Sequence, residues 1–326
     1  MTMTPPRRAV VTGGSGFIGA NLVRHLLALG CEVHLLLRPG HDDWRLAGLR
    51  GQVAPHVLDL AEPAAVALAL RAARPDCVFH LAAHGAYSWQ QDAAEIARTN
   101  LLATQVLARA AAAQGVAVMV QAGTSSEYGH KPHAPAEDEP PEPQGAYAES
   151  KAAATAFCRD FARQAGMRLP TLRIYSAYGP WEDPRRLLPA LLMHARAGRL
   201  PPLASPRTAR DFVAVEDVVR AFLLAATMPL PEPGAVFNLG TGRQTRLEEI
   251  VALVRGQFGV AEEPRWASMP GRDWDTDVWV ADSRRIHAEL GWAPRIGLAE
   301  GLRDMAAWLE AAPALLERYR APWAGL

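Results

Sequence analysis

At 326 residues the chain is long for a single core, so two lobes or one large α/β unit are expected. Hydrophobic residues make up 49% and charged residues 21%, and 34 Lys+Arg balance 34 Asp+Glu, which leaves no overall field to draw in nucleic acid or an anionic membrane. The opening MTMTPPRR carries no apolar signal region, no apolar run is long enough to span a bilayer, and Cys31, Cys77 and Cys158 read as buried thiols of a reducing compartment, so a cytoplasmic address is expected.

Short apolar runs alternate with amphipathic stretches through the first half. Residues 8–12 predict a strand, 17–29 a helix and 32–37 a second strand. A third strand is predicted over 53–58 and a fourth over 77–81, after a helix that ends near Ala73. An Ala-rich helix over 93–113, a strand over 116–122, a helix over 147–164 and a strand over 169–174 complete the series. This β-α-β alternation implies an α/β fold with a doubly wound parallel sheet and helices on both faces. Residues 130–144 hold five prolines and four acids and read as a loop. Beyond 174 the regularity breaks into short helices and Pro-rich joints, the pattern of a smaller lobe. Two pieces, 212–227 and 236–239, are expected to return to the first.

Gly13-Gly14-Ser15-Gly16-Phe17-Ile18-Gly19 follows the first strand and opens the first helix, the context a dinucleotide fingerprint requires. Gly13 permits the tight turn, Gly16 lets backbone N–H groups approach a pyrophosphate, and Gly19 allows close helix–strand packing. The helix N-terminus adds a field that favours the anion. A tight turn without a ligand is the plainer alternative. Tyr147 and Lys151 stand four apart on one helix face, where a cation beside a phenol stabilises the phenolate and lets it exchange a proton near neutral pH. Y-x-x-x-K arises often by chance, and its weight here comes from the glycine turn upstream.

Together these features resemble the extended short-chain dehydrogenase/reductase family, the nucleotide-sugar epimerases, dehydratases and reductases, over nearly the whole chain. Thr12 to Gly19 is similar to its T-G-G-x-G-F-I-G. Val78-Phe79-His80-Leu81-Ala82-Ala83 is similar to its strand ending beside the cofactor, and Arg210-Asp211-Phe212-Val213-Ala214-Val215-Glu216-Asp217 to its R-D-F-V-x-V-x-D. Asn238-Leu239-Gly240-Thr241-Gly242 and Pro270-Gly271-Arg272-Asp273 resemble its late motifs. The resemblance implies a dinucleotide-binding Rossmann domain over 1–175 with returning pieces near 210–242. A smaller mixed α/β substrate-binding lobe would occupy most of 176–326. It implies cofactor contacts from Gly13, Ser15, Gly16, Phe17, Ile18, Gly19, Asp59, Leu60, Leu81, Ala82 and Ala83, with Asp59 at the adenine. Thr124 would hydrogen-bond the reacting sugar oxygen and Tyr147 would pass the proton. Lys151 would hold the nicotinamide ribose and lower the phenol pKa. Helices over 101–113 and 152–164 would form a four-helix homodimer interface, or simply pack on their own sheet.

Departures from the family pattern narrow the reaction. NAD-preferring members end the second strand with an acid for the ribose 2′-hydroxyl; here it ends Leu36-Leu37-Arg38, and a guanidinium suits the 2′-phosphate of NADP. The alternative is a solvated Arg at a strand end. Members that eliminate water place an Asp–Glu pair directly after the Thr, and this chain has Ser125 and Ser126, with Glu127 one place later and able to swing in. Substrate contacts are expected from Tyr87, Ser125, Ser126, Ser176 (where the family carries Asn), Arg210 and Arg272. His80 and His84 stand four apart, but the segment begins in a strand and lacks the Glu of a zinc motif, so no metal is expected. The reading is NADP-dependent reduction of a 4-keto nucleotide-diphosphate sugar. Alternatives are a 4-epimerase with tightly bound NAD, a 4,6-dehydratase, or a cofactor sensor without turnover.

Overall fold

Strands covered on both faces read as near-continuous apolar runs, and the central ones here do so: RAVVT, EVHLLL, CVFH. The computed structural model describes residues 5–269 and 276–323. Its strands are β1 Arg8–Thr12, β2 Glu32–Leu37, β3 Val53–Val57, β4 Cys77–His80, β5 Val118–Thr124, β6 Thr171–Ile174, β7 Ser176–Tyr178, β8 Ala209–Ala214, β9 Val236–Leu239 and β10 Gln244–Arg246. Seven of them form one sheet, in the order β3-β2-β1-β4-β5-β6-β9, with every pair parallel.

Alternate side chains of this sheet feed two cores. Val11, Phe79 and Phe237 pack with Leu22 and Leu26 of helix Phe17–Ala28 and with Phe222 of helix Val215–Thr227. On the other face Val10, Val78 and Met119 meet helices Pro63–Ala73, Ala103–Ala113 and Gly145–Ala165. The expected doubly wound architecture is therefore present. Strand order reverses between β1 and β4, and the crevice beyond their C-terminal ends is where such sheets take ligands. No described helix is long and apolar enough to cross a membrane. All three cysteines are buried and free.

Two local departures have physical causes. The helix expected over 93–113 is broken into Ala93–Ala97 and Ala103–Ala113 by a π turn, Arg98–Leu102. At its middle the fully buried Asn100 turns inward, where its amide is bonded on three sides. The piece expected to return at 212 starts later. Phe212–Ala214 belong to a second sheet, and only the helix Val215–Thr227 covers the first. Strand β9 does return, as the seventh strand beside β6.

The second sheet is small, β10-β8-β7, parallel between β7 and β8 and antiparallel between β8 and β10. Its core gathers Tyr178, Leu191, Leu192, Val251, Val254, Leu302, Met305 and Tyr319. Asp211 of β8 is fully buried and ties three distant stretches together. One oxygen accepts from the Thr241 N–H at 2.7 Å and the Thr241 hydroxyl at 2.6 Å; the other accepts from Gly242 N at 2.9 Å and Ala281 N at 3.1 Å. Replacing Asp211 with Asn keeps the shape but turns an NH2 towards two N–H groups. Asp211→Asn should lower stability by about 2–4 kcal/mol, read as a fall in denaturation midpoint against wild type.

Candidate active site

Two backbones cross at van der Waals limit where β1 ends. Gly13 has φ +67°, and a Cβ there would stand 2.6 Å from Leu81 C and Ala82 N. A Cβ on Gly19 would run into the carbonyl of Gly13. At Gly16, by contrast, only the Gly13 carbonyl lies within reach, at 3.1 Å. Helix Phe17–Ala28 starts there with no side-chain cap and no acid in its first turn, so its leading N–H groups face outward as an anion cradle. This is a fit for a dinucleotide pyrophosphate: Ser15, Phe17 and Ile18 flank Gly16 in the chain, and Leu81 and Ala82, followed by Ala83, lie against Gly13.

The floor of the crevice is a buried polar chain. Thr104 donates its hydroxyl to Asn100 O at 2.7 Å, so it accepts from His80 Nε2 at 2.9 Å. His80 Nδ1 is then the acceptor for the Thr12 hydroxyl at 2.6 Å, and Thr12 Oγ1 accepts from Ala82 N at 3.2 Å. Burial and the Lys151 charge drop the His80 pKa to about 3, so this imidazole is neutral, and both ring nitrogens are taken. Asn100 accepts from His84 N and donates to His84 O, both at 2.8 Å, and donates to Ser150 Oγ at 2.9 Å. Ser150 in turn donates to Tyr147 O at 2.8 Å. The strand ends, the loop after β4 and the Tyr147 helix are thus pinned to one another. Asn100 was invisible in the sequence pattern, because nothing in a regular helical period marks a π turn.

Thr124 closes β5, near enough to Tyr147 for its hydroxyl to act on the phenol. Burial raises the phenol pKa above its ordinary value; the Thr124 hydrogen bond and the Arg186 charge oppose that, and Glu127 reinforces it. Lys151 lies one turn along helix Gly145–Ala165, almost fully buried, with Nζ donating to Ala122 O at 2.5 Å. Desolvation pulls its pKa down. Glu127 does not swing in. Its carboxylate is fully buried, accepting from Thr124 N at 2.9 Å on one oxygen and from Arg173 Nε at 2.9 Å on the other. Arg173 also stacks over Tyr128, 4.4 Å from the ring centroid.

At the far end of the crevice Arg38 is exposed beyond β2, with no ion pair among the described residues. Asp59 caps the next turn, accepting from Ala61 N at 2.8 Å, and pairs with Arg98 at 2.5 Å, which holds its pKa below the usual carboxylate range. Leu60 sits beside it, half-buried.

The described residues expected to meet substrate fall on four segments. Tyr87 stacks on exposed Trp89 (centroids 4.6 Å apart, planes at 16°), with the Arg185 guanidinium 3.9 Å over Trp89 and that of Arg186 5.7 Å from Tyr87. Ser125 and Ser126 follow Thr124, and Ser126 Oγ accepts from the Thr124 hydroxyl at 3.3 Å. Ser176 starts β7 opposite Phe212, and Arg210 of β8 lies 5.3 Å from the Trp279 ring. Arg272 lies outside the described residues. Arg186 and Trp279 were missed, since no local spacing ties either to Tyr147 or Ser125.

Residues 9–240, more than half of the chain, match a single family model. The chain belongs to the NAD dependent epimerase/dehydratase family. As a member it is an enzyme of the NAD(P)-dependent oxidoreductase/epimerase class. A dTDP-glucose 4,6-dehydratase from Streptomyces griseus is 32% identical to it, over 92% of this chain and 93% of the relative. A dTDP-6-deoxy-L-talose 4-dehydrogenase (NAD(P)(+)) from Kitasatospora kifunensis is 33% identical, over 93% and 95%. Among solved structures, UDP-glucose 4-epimerase from Thermotoga maritima, crystallised with UDP-glucose, superposes with TM-score 0.85 at 28% identity, covering 94% and 99%.

Within this family member the Glu127–Arg173 pair holds the end of β5. Glu127→Gln leaves a buried guanidinium without its counter-charge and should cost about 3–5 kcal/mol in chemical denaturation. Adding Arg173→Met should recover part of the loss, a coupling that a double-mutant cycle measures.

Proposed function

We propose that this enzyme reduces a 4-keto nucleotide-diphosphate sugar with NADPH. The reading rests on the pair of residues directly after Thr124. Elimination needs an acid and a base at 125 and 126; this chain offers two hydroxyls there, and Glu127 is tied to Thr124 N and Arg173. Without that pair, hydride transfer is the chemistry left to Thr124, Tyr147 and Lys151. A reduced nicotinamide bound in the crevice would supply the hydride for the carbonyl carbon. Tyr147 passes its phenolic proton to the oxygen, Thr124 hydrogen-bonds the same centre, and Lys151 holds the nicotinamide ribose. Gly13, Ser15, Gly16, Phe17, Ile18 and Gly19 take the pyrophosphate, with Asp59 and Leu60 at the adenine. Arg38 takes the 2′-phosphate. Tyr87, Ser125, Ser126, Ser176 and Arg210 would contact the sugar nucleotide, and by the family motif so would Arg272.

A 4-epimerase with tightly held NAD is the second reading. It is favoured by the solved epimerases similar in fold, of which the one from Thermus thermophilus was crystallised with NAD. Mass spectrometry of ligands released from denatured protein separates the two. We also propose a homodimer through helices Ala103–Ala113 and Gly145–Ala165. Leu102 is 40% exposed, and a stacked Phe157–Phe161 pair with Arg109 over Phe157 lies on that face. The three buried free thiols suit the cytoplasm.

Purified protein mixed with NADPH and UDP- or dTDP-linked 4-keto-6-deoxyglucose should consume the reduced-nicotinamide absorbance; no oxidation with any such sugar would overturn the reading. Tyr147→Phe should cut the rate by at least about 100-fold. The pH dependence follows from the sign of the phenol shift. A pKa above the usual ~10 keeps Tyr147 protonated through neutral pH, so kcat/KM for reduction should stay flat from about pH 6 to 9. The reverse oxidation needs the phenolate and should climb towards about tenfold per pH unit over that range. Arg38→Asp should reverse cofactor choice, lowering kcat/KM with NADPH by at least about tenfold while sparing NADH.

A further inference from the structure

Ser125 is approached from across the molecule. Residues 276–281 are fastened to the second sheet: Ala209 N donates to Thr276 O at 2.9 Å, Arg207 pairs with Asp277 at 2.7 Å, and Gln244 Oε1 accepts from Trp279 N at 3.1 Å. From this fixed run the Trp279 indole reaches the end of β5 and donates Nε1–H to Ser125 Oγ at 3.1 Å. An indole nitrogen can only donate, so Ser125 is made an acceptor towards Trp279 and its own proton must point elsewhere. Among the described residues nothing accepts that proton. Ser125, Tyr175 and Trp279 line a cavity of about 10 Å³, room for roughly one oxygen atom.

We infer that Trp279 is a positioning residue: by filling the acceptor side of Ser125 it presents the Ser125 hydroxyl as a donor to an oxygen of the bound sugar. This rests on the keto-sugar reading above and adds to it. The second sheet would then act on specificity through one hydrogen bond that crosses to the catalytic strand.

The test is a double-mutant cycle on Ser125→Ala and Trp279→Phe in the full chain, with UDP- and dTDP-linked 4-keto-6-deoxyglucose as substrates and UDP and dTDP alone as sugar-free probes. Ser125→Ala should raise KM about five- to tenfold with kcat nearly unchanged, the loss of one neutral hydrogen bond made in the ground state. Trp279→Phe should raise KM in the same direction and have no further effect in the Ser125→Ala background. Trp279→His, which restores a ring N–H, should recover part of the loss. Multiplying losses in the double variant, or an unchanged KM in Trp279→Phe, would overturn the inference. So would equal weakening of UDP and dTDP binding by calorimetry, which would put the acceptor on the phosphates. If wild type turns over none of the sugars, the functional reading falls as well, an outcome distinct from additive losses in a working enzyme.

Discussion

A carboxylate taken out of water must find its donors inside the protein, and Glu127 finds them in the backbone N–H of Thr124 and the guanidinium of Arg173. That need fixes the end of β5. The turn Ser125–Tyr128 closes back on the strand, Thr124 is held extended, and Ser125 and Ser126 take the two places after it. Arg173 lies on β6, the neighbour of β5, so the register between these two strands is tied to the same ion pair. Geometry and chemistry are linked here. At this strand end Glu127 is used as a structural member, and beside it stand hydroxyls, a phenol and an amine.

The same economy governs the other half of the crevice. His80 has a strand, a helix and a loop around it and holds all three by being neutral with one defined tautomer. A charged imidazole there would have two donors, so the Thr12 hydroxyl would have to accept from it and place its own proton elsewhere. Asn100 does for the loop after β4 what His80 does for the strand ends, and the π turn is the local distortion that lets an amide reach that depth. These polar groups are satisfied among themselves, which leaves the glycine turn and the Tyr147 helix facing the opening.

What could be seen in the chain beforehand depends on the range of the forces involved. Strand and helix order along 8–174 was legible because apolar periodicity and glycine punctuation are local. Strand ends slipped by a residue or two, as with Val118–Thr124 against the expected 116–122. The three-residue strands Ser176–Tyr178 and Gln244–Arg246 carry too few side chains to show a period. The fate of Glu127 was not legible. Its availability depended on Arg173, 46 positions away, and a lone carboxylate looks the same whether it is free or paired. Trp279 is 154 positions from Ser125, so only the folded chain brings them together.

A single residue, Tyr175, separates β6 of the large sheet from β7 of the small one, β8 runs without a break into the helix that covers the large sheet, and β9 returns to the large sheet before β10 leaves again. The two layers are therefore stitched rather than strung. A chain stopped at Tyr175 would hold the glycine turn and the Tyr147 helix yet leave β6 with a bare row of amides and carbonyls where β9 belongs, an edge open to any passing strand. During synthesis the first half must wait, unsealed on that side, until residues 236–239 emerge.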